Sequence, residues 1–416
     1  MDVKIPINDD NPAITFCEEL CIECGACRHS CETDASANSS RLPVCVHCGQ
    51  CTIVCPSAAI TERYDYVSVK KAISDPDKTI VFNIAPAVKA SLGEEFGMSG
   101  FAEGKIVAAL RTLGANYVLD VSFSADLTVL EEVAELVKGL KAETASPGKG
   151  TLPLFTSCCP SWVQFAESFF PKMLPHVSKA KSPIVTQGNA VKTYFAMKHN
   201  IAPEKIVNIA VTPCTAKKHE ISPADERGTD YVITARELAK WIKEEGVNWS
   251  DLPSASYDKL MGTASGAGVI FGNTGGVTEA VVRTAYYQLT GEAPGEDYLK
   301  YQAVRGMDGI KTSTVDIAGQ KINVAVVHGL DNAQELMENI ADGSSEYDFV
   351  EVMACRGGCI GGGGQPRTVV PTDDDLRKSR TKPLYKKDND LKLRSSYQNP
   401  EIKDAEQYQQ MKGQTI

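Results

Sequence analysis

Cysteine is the residue type of this sequence with the clearest chemical meaning. The chain has 416 residues and 14 cysteines, of which nine lie between residues 17 and 55 and five lie at 158, 159, 214, 355 and 359. The amino terminus lacks a basic segment followed by an apolar core, so we expect a cytoplasmic protein. In a reducing cytosol, cysteines act as metal ligands more often than as disulfides. Two metal-binding regions are therefore predicted.

The first region contains two cysteine quartets that share the spacing C-x2-C-x2-C-x3-C, and the second quartet ends in Cys-Pro. The quartets are Cys21, Cys24, Cys27, Cys31 and Cys45, Cys48, Cys51, Cys55. The same run holds two 4Fe-4S clusters in bacterial ferredoxins, where the fourth cysteine of each quartet binds the other cluster. One cluster is thus assigned to Cys21, Cys24, Cys27 and Cys55, and the second to Cys31, Cys45, Cys48 and Cys51. A pair of zinc sites is the alternative; Cys17 is left as a spare thiol or an alternative ligand.

In the second region each cysteine motif follows a predicted strand. The segments LPLFTS, IVNIAV and YDFVEVMA lead into Cys158-Cys159, Cys214 and Cys355, with Cys359 four residues later. Ligands of open α/β sheets bind beyond the carboxyl ends of strands, so the three motifs can converge on one site. Cys355 and Cys359, with one cysteine from each other motif, supply four thiolates for a third cluster. Cys158 and Cys159 diverge from an extended segment, so one of them should remain free.

The elements that must position these cysteines change in character near residue 79. Residues 1–78 are turn-rich and cysteine-dense, which predicts a small α+β ferredoxin-like domain. Residues 79–416 alternate β-branched apolar runs with amphipathic helical stretches, which is typical of α/β folds; we expect a two-lobed domain with mostly parallel sheets. The segment 366–416 is polar and charged and should wrap the surface.

Charge and glycine content exclude several function classes. With 53 acidic and 43 basic residues the net charge is -10, which argues against nucleic acid or an anionic membrane as a main partner. No run of 18 apolar residues occurs, so no membrane span is expected. The glycine-rich stretches 266–276 and 361–364 lack the spacing of phosphate-binding loops and predict close backbone packing.

Three segments resemble a known family. FTSCCPSW, TPCTAKKHE and EVMACRGGCIGGGGQP are similar to the signature segments of the FeFe hydrogenases, and the resemblance extends over nearly the whole chain. It implies reversible conversion of protons and electrons to dihydrogen. It also implies an active-site 4Fe-4S cluster bound by Cys159, Cys214, Cys355 and Cys359, with Cys359 bridging to a diiron subsite that carries carbonyl, cyanide and amine-dithiolate ligands.

The resemblance assigns roles to further residues. Lys217, which composition alone would place on the surface, is expected to hydrogen-bond a cyanide. The diiron pocket is expected to be lined by Ala85, Pro86, Pro213 and Met353. Helical periodicity puts Glu132 and Glu135 on a solvated face, whereas the resemblance implies a proton relay through Cys158, Glu132, Ser178 and Glu135.

The sequence also departs from the family pattern. Thr212 stands where methionine is usual, Ser161 where glycine is usual, Ile184 where glutamine is usual, and Gly139 where an arginine is usual. These departures suggest a divergent subgroup. A hydrogenase would exchange electrons with ferredoxin or a similar soluble carrier and need maturation enzymes for its diiron subsite. The alternatives are an iron-sulfur assembly factor that keeps the fold without the diiron site, and a hydrogen sensor with slow turnover.

Overall fold

The computed structural model describes residues 7–33, 44–145, 152–221, 228–343, 346–367 and 373–405. The strands are β1 Ile14–Phe16, β2 Ile60–Glu62, β3 Thr79–Ile84, β4 Tyr117–Asp120, β5 Leu154–Phe155, β6 Ile206–Thr212, β7 Tyr231–Thr234, β8 Ile310–Ile317, β9 Gln320–His328 and β10 Phe349–Met353. The helices are α1 Ala26–Thr33, α2 Gln50–Val54, α3 Tyr66–Ile73, α4 Pro86–Ser91, α5 Glu103–Thr112, α6 Ser122–Ala145, α7 Pro160–Phe169, α8 Pro183–Ala190, α9 Ala196–His199, α10 Ala216–Glu220, α11 Ala235–Glu244, α12 Gly266–Ile270, α13 Gly276–Thr290, α14 Glu296–Leu299, α15 Leu330–Ala341 and α16 Asp374–Asp390.

Two four-stranded sheets form the larger part of the described chain. One has the order β4-β3-β6-β7 and is parallel throughout. The other has the order β5-β10-β9-β8, in which only β8 is antiparallel to its neighbour. β6 and β10 are buried along their whole length, as expected for strands covered by helices on both faces. The predicted α/β class with mostly parallel sheets is confirmed.

The cysteine-rich amino-terminal region is an antiparallel pair, β1 and β2, with the short helices α1 and α2. Its small core contains Ala13, Ile14, Cys51 and Ile60. The region is joined to α11 by Arg236, which donates two hydrogen bonds, of 3.0 and 2.7 Å, to the Glu62 carboxylate. So small a core is typical of a region that depends on bound clusters for its stability.

Helix α16 of the carboxyl-terminal segment packs against α4 and α12. Its Asp388 is fully buried and accepts hydrogen bonds from Arg283 at 2.9 and 2.8 Å. A Cβ atom on Gly266 would lie 1.8 Å from Asp388 Oδ1, so the glycine-rich stretch is closely packed, as predicted. Within the polar stretch 141–149, α6 continues to Ala145, and the remaining residues lie outside the described part of the chain. None of the described helices combines the length and apolarity needed to span a membrane.

Candidate active site

A cavity lies where two strands of each sheet end. Ala85 follows β3 and Cys214 follows β6, while Cys159 and Cys355 follow β5 and β10; all four residues line the cavity. Its volume of about 80 Å³ is several times the ~10–15 Å³ that one water molecule occupies. The site can therefore hold a group larger than a water or a single ion. It lies between the two sheets, as the convergence of the three motifs predicted.

Five cysteines line this cavity. They are Cys158, Cys159, Cys214, Cys355 and Cys359. Burial raises the pKa of Cys214 to about 11 and that of Cys359 to about 12. Burial likewise raises the pKa values of the other three thiols. The bare thiols therefore keep their protons at neutral pH, and thiolates would form here only with a strongly cationic partner such as iron.

Among the described His, Cys, Asp and Glu residues, no group of three or more is arranged to hold a metal ion. The thiols around a 4Fe-4S cluster bind different iron atoms at the corners of a cube. They surround the cluster and need not approach one point as the ligands of one ion do. The volume of the cavity and its soft sulfur donors fit an iron-sulfur cluster better than a mononuclear site.

The remaining walls are almost entirely apolar. Pro86, Pro213 and Met353 join Ala85 in the lining, so all four expected pocket residues are there. Three of the four departures from the family pattern also line the cavity, namely Thr212, Ser161 and Ile184. The Thr212 hydroxyl donates to the Cys214 carbonyl at 2.9 Å and is thus used by the backbone. Gly139 is buried in α6 and lies outside the lining.

Lys217 is the cationic residue of the cavity lining. It is 8% exposed, and its Nζ donates to the Cys158 carbonyl at 2.9 Å and to Glu220 Oε2 at 2.8 Å. Burial opposes its charge, but the Glu220 carboxylate keeps the pKa of Lys217 above its ordinary value. Two of the three N–H groups are used, which leaves one for a ligand in the cavity. The surface position suggested by composition is wrong, because α10 follows β6 directly into the site.

Glu132 and Glu135 have opposite environments on α6. Glu132 is completely buried, and neither carboxylate oxygen makes a hydrogen bond to any described residue. Burial raises the pKa of Glu132 to about 8, against a smaller opposing effect of the Ser157 backbone amide. Glu135 is half-buried and accepts the Lys179 backbone N–H at 3.1 and 3.2 Å. The solvated face predicted for both is therefore wrong for Glu132.

The other two residues expected in the relay lie near these carboxylates. Burial has the largest effect on the pKa of the Cys158 thiol and raises it. The charge of Glu132 has the next largest effect in the same direction. Ser178 is buried, its Oγ accepts the Ala180 backbone N–H at 3.1 Å, and it immediately precedes Lys179, the hydrogen-bond donor to Glu135. Cys158 and Glu132 thus lie close enough to interact electrostatically, and Ser178 adjoins the residue that binds Glu135.

The amino-terminal cysteines fall into two groups in space. A small separate cavity is lined by Cys21, Cys24, Cys27 and Cys55. Cys51 of the second group lies near three other cysteines. Burial raises the pKa of its thiol most, and interactions with Cys45, Cys31 and Cys27 raise it further, in that order. Cys48 is buried and interacts electrostatically with Cys355 of the main cavity. The second group is thus placed between the first group and the candidate active site.

The cysteine-rich amino-terminal region and the candidate active site meet at the glycine run 361–364. A Cβ on Gly363 would lie 2.1 Å from the Cys48 carbonyl oxygen, and one on Gly362 would lie 2.4 Å from the Pro213 carbonyl oxygen. The backbone of this run therefore passes between the two regions, in agreement with the predicted close approach. Gln50 adds a hydrogen bond of 2.9 Å from its Nε2 to the Gly361 carbonyl.

Sequence reasoning missed several cavity residues. Phe271 and Gly272 line the site but belong to the glycine stretch interpreted only as packing. Two residues behind the lining were also missed. Glu220 accepts a hydrogen bond from Lys217, and Ser182 donates one to Glu220. Glu220 stands in the TPCTAKKHE segment three residues after Lys217, and that i, i+3 spacing was a signal for an ion pair.

Comparison with known protein families gives two matches. The family described as "Iron only hydrogenase large subunit, C-terminal domain" matches residues 78–363. The "4Fe-4S binding domain" matches residues 18–34 and 42–65. These ranges contain the three carboxyl-terminal cysteine motifs and the two quartets, respectively.

Curated relatives include both hydrogenases and assembly proteins. The chain is 43% identical over 370 residues to the "NADP-reducing hydrogenase subunit HndD" of Solidesulfovibrio fructosivorans, covering 87% of this chain and 62% of the relative. It is 42% identical to "Iron hydrogenase 1" of Clostridium pasteurianum, with 83% and 60% covered. It is also 35% identical to the bovine (Bos taurus) "Cytosolic iron-sulfur assembly component 3", with 71% and 64% covered. The chain thus spans about three fifths of the length of the first two.

Solved structures give the same picture. A variant of an FeFe hydrogenase from Chlamydomonas reinhardtii superposes with a TM-score of 0.71 at 35% identity. The match covers 82% of this chain and 93% of that one.

Proposed function

Because this chain belongs to the iron-only hydrogenase family, which contains hydrogenases and related iron-sulfur assembly factors, we propose that it is an FeFe hydrogenase. The proposed reaction is the reversible conversion of protons and electrons to dihydrogen. The observation that carries this proposal is the fifth thiol of the cavity. A 4Fe-4S cluster needs four cysteines, and the fifth, Cys158, lies by a fully buried carboxyl group, Glu132. Such a pair serves proton transfer and has no use in a purely structural cluster site.

The cofactor proposal follows from the lining. Cys159, Cys214, Cys355 and Cys359 would hold the active-site 4Fe-4S cluster, and Cys359 would bridge to a diiron subsite with carbonyl, cyanide and amine-dithiolate ligands. Apolar walls and one buried ammonium with a spare N–H fit a compact group that carries anionic ligands. Bound there, the diiron group would supply the redox chemistry of dihydrogen formation and cleavage.

This chain's own residues would move the protons. The Cys158 thiol faces the cavity and keeps its proton, since burial raises its pKa. Glu132, with a pKa of about 8, can take up and release a proton near neutral pH. Ser178 and Glu135 would continue the path outward. Lys217 would hold an anionic ligand and take no part in proton transfer.

Electrons would enter through the two amino-terminal clusters. Exposed Cys24 marks the outer cluster, and buried Cys48, next to Cys355, marks the inner one. We propose residues 1–78 as this inlet domain and residues 79–416 as the catalytic domain. The electron partner would be ferredoxin or a similar soluble carrier in the cytoplasm, and dedicated maturation enzymes would supply the diiron subsite.

The second candidate is an iron-sulfur assembly factor, which the similarity to the bovine assembly component favours. Infrared spectroscopy separates the two functions, since iron-bound carbonyl and cyanide have characteristic bands. The chain should be produced together with diiron maturation enzymes, and its hydrogen evolution should be measured on the same sample. Carbonyl and cyanide bands with turnover support the hydrogenase; 4Fe-4S clusters without these bands would indicate the assembly role. Bands with only very slow turnover would indicate a hydrogen sensor.

A further inference from the structure

Glu220, the last residue of α10, is a carboxylate at the edge of the cavity with no assigned role. Its Oε2 atom accepts two hydrogen bonds, from Lys217 Nζ at 2.8 Å and from the Ser182 hydroxyl at 2.9 Å. The Glu220 side chain is only 12% exposed. Both contacts are therefore largely shielded from water. A charged hydrogen bond is stronger in such a shielded place than at a protein surface.

The contacts of Glu220 join three walls of the cavity. Lys217 belongs to α10, after β6 of one sheet, and its ammonium also donates to the Cys158 carbonyl, after β5 of the other sheet. Ser182 is the N-cap residue of α8, where its hydroxyl accepts the Val185 backbone N–H. The next two residues along the chain, 183 and 184, line the cavity. The Glu220 carboxylate thus binds the Lys217 ammonium, which links the two sheets, and also binds Ser182 at the start of α8.

We propose that Glu220 is a positioning residue that holds the Lys217 ammonium charged and directs its remaining N–H into the cavity. This proposal rests on the proposed function, because the group that receives this N–H is the anionic ligand of the diiron subsite. An ammonium has three donors, and a buried one requires an opposite charge nearby. With one N–H on Glu220 and one on the Cys158 carbonyl, the third is left for the cavity that Lys217 lines.

The charges around Lys217 identify Glu220 as its counterion. The groups that interact with it electrostatically are Glu220 and the thiols of Cys158, Cys159, Cys214 and Cys359. Without the Glu220 charge, the effect of burial, which lowers the pKa of Lys217, would be less strongly opposed. Each unit of decrease reduces its charged fraction about tenfold at pH values above the pKa. The ammonium would then be lost as pH rises and restored as pH falls.

The test uses the full chain with its 4Fe-4S clusters and a synthetic diiron complex that carries carbonyl, cyanide and amine-dithiolate ligands. Glu220→Gln keeps the size of the side chain and removes the charge, whereas Glu220→Asp keeps the charge. Glu296→Gln is the matched control, since Glu296 pairs with Lys300 at 2.7 Å on the exposed surface. The readout is the intensity of the carbonyl and cyanide bands per 4Fe-4S cluster, from mildly acidic to alkaline buffer.

We expect Glu220→Gln to shift the cyanide bands and to retain about tenfold less diiron complex at alkaline pH than at acidic pH. Glu220→Asp should restore most of the retention, and the control should match the unmodified chain. Equal, pH-independent retention in Glu220→Gln and the unmodified chain overturns the Glu220 proposal alone. An unmodified chain that takes up no diiron complex overturns the proposed function together with it. Loss of the 4Fe-4S clusters from both Glu220 variants would show a purely structural role.

Discussion

Two carboxyl groups three residues apart on α6 differ in what surrounds them. Glu135 accepts a backbone N–H and remains half-buried, whereas Glu132 has no hydrogen-bond partner among the described residues and is fully buried. A neutral carboxylic acid tolerates such a site far better than a carboxylate. The fold therefore places Glu132 where the carboxylate form is disfavoured. At high pH, where the carboxyl must ionise, this lowers the free energy of unfolding.

Replacing Glu132 by glutamine should stabilise the protein at alkaline pH and, by removing the ionisable group from the proposed relay, stop its turnover. The carboxyl ionises near 4.5 when unfolded and near 8 when folded, so the folded state binds more protons between these values. Stability of the unmodified chain should consequently fall as pH rises through this window, by about 1.4 kcal/mol per pH unit. Glutamine removes this dependence, and denaturation midpoints of both proteins across the window measure it. Parallel midpoints at every pH would mean that Glu132 is not buried as an acid.

Cys158 should carry protons without binding iron. Burial raises the pKa of its thiol well above its ordinary value, so the thiol stays protonated. Cys158→Ser should keep the iron content and the carbonyl and cyanide bands but lose turnover by about two orders of magnitude, because a hydroxyl is a far weaker acid. Cys159→Ala serves as the contrast and should lose the active-site cluster. Iron loss from Cys158→Ser would identify Cys158 as a ligand.

Lys217→Ala should prevent stable retention of the diiron subsite. The substitution removes the ammonium of the cavity lining and its bonds to the Cys158 carbonyl and Glu220. Charge-assisted hydrogen bonds contribute about 1.5–3 kcal/mol each, so retention should decrease at least about tenfold. Infrared bands per 4Fe-4S cluster measure this decrease, with the distant Lys300→Ala as a control. Full occupancy in Lys217→Ala would contradict the assigned role.

The residues of the site differ in how far the sequence could predict them. Cysteine spacing alone grouped the ligand candidates, because a cluster demands fixed residue types at fixed intervals. The burial of Glu132 could not be predicted, since helical periodicity shows the apolar face and α6 is packed against α8, α12 and α13. Likewise, nothing in the local sequence indicated that Lys217 points inward. Both residues were found only through the family resemblance.

At the scale of elements, the sequence predicted the strands that position the site. It did not predict β8, a strand that does not position the site. The segments LPLFTS, IVNIAV and YDFVEVMA correspond to β5, β6 and β10, whose burial on both faces produces continuous apolar runs. β8 was missed because its residues alternate between buried and exposed, with Lys311, Thr312 and Ser313 at its start. It is an edge strand and antiparallel to its neighbour, and such strands need one apolar face only.

Helix α16 is predicted to depend on one buried carboxylate. Asp388 accepts hydrogen bonds from Arg283 and from Arg394, whose Nε and Nη2 lie 2.8 and 3.0 Å away. Asp388→Asn removes the carboxylate that pairs with Arg394 and one of the two that pair with Arg283, the other being Glu279. The loss of this buried charge should destabilise the fold by about 3 kcal/mol. Chemical denaturation measures this loss against Glu296→Gln, where an exposed pair should change stability by less than about 1 kcal/mol. Similar midpoints for the two variants would show that Asp388 is not the anchor.

At the scale of the molecule, two regions with different cores are joined so that cysteines of one region lie near cysteines of the other. The inlet contributes Cys48 and the larger domain contributes Cys355, and the glycine backbone between them allows close approach. Arg236 fixes this arrangement by binding Glu62 of the inlet and the Gln365 carbonyl beyond the glycine run. The sequence predicted both regions but could not show their relative placement, which depends on packing between distant segments.

Removing a ligand of the outer cluster should separate electron delivery from the chemistry at the active site. Cys24 is the exposed member of the first group of cysteines, and serine is a poor ligand for a cluster that prefers soft thiolate donors. Cys24→Ser should therefore lower hydrogen evolution driven by a reduced carrier protein at least about tenfold. Exchange between dideuterium and water protons should persist, since it consumes no external electrons and occurs wholly at the active site. Cys17→Ser is the matched control, because Cys17 lies outside both quartets and its thiol donates a hydrogen bond to Glu19 Oε2 at 3.1 Å. Unchanged carrier-driven evolution in Cys24→Ser would show that electrons enter elsewhere, and an equal loss in Cys17→Ser would place that thiol among the ligands.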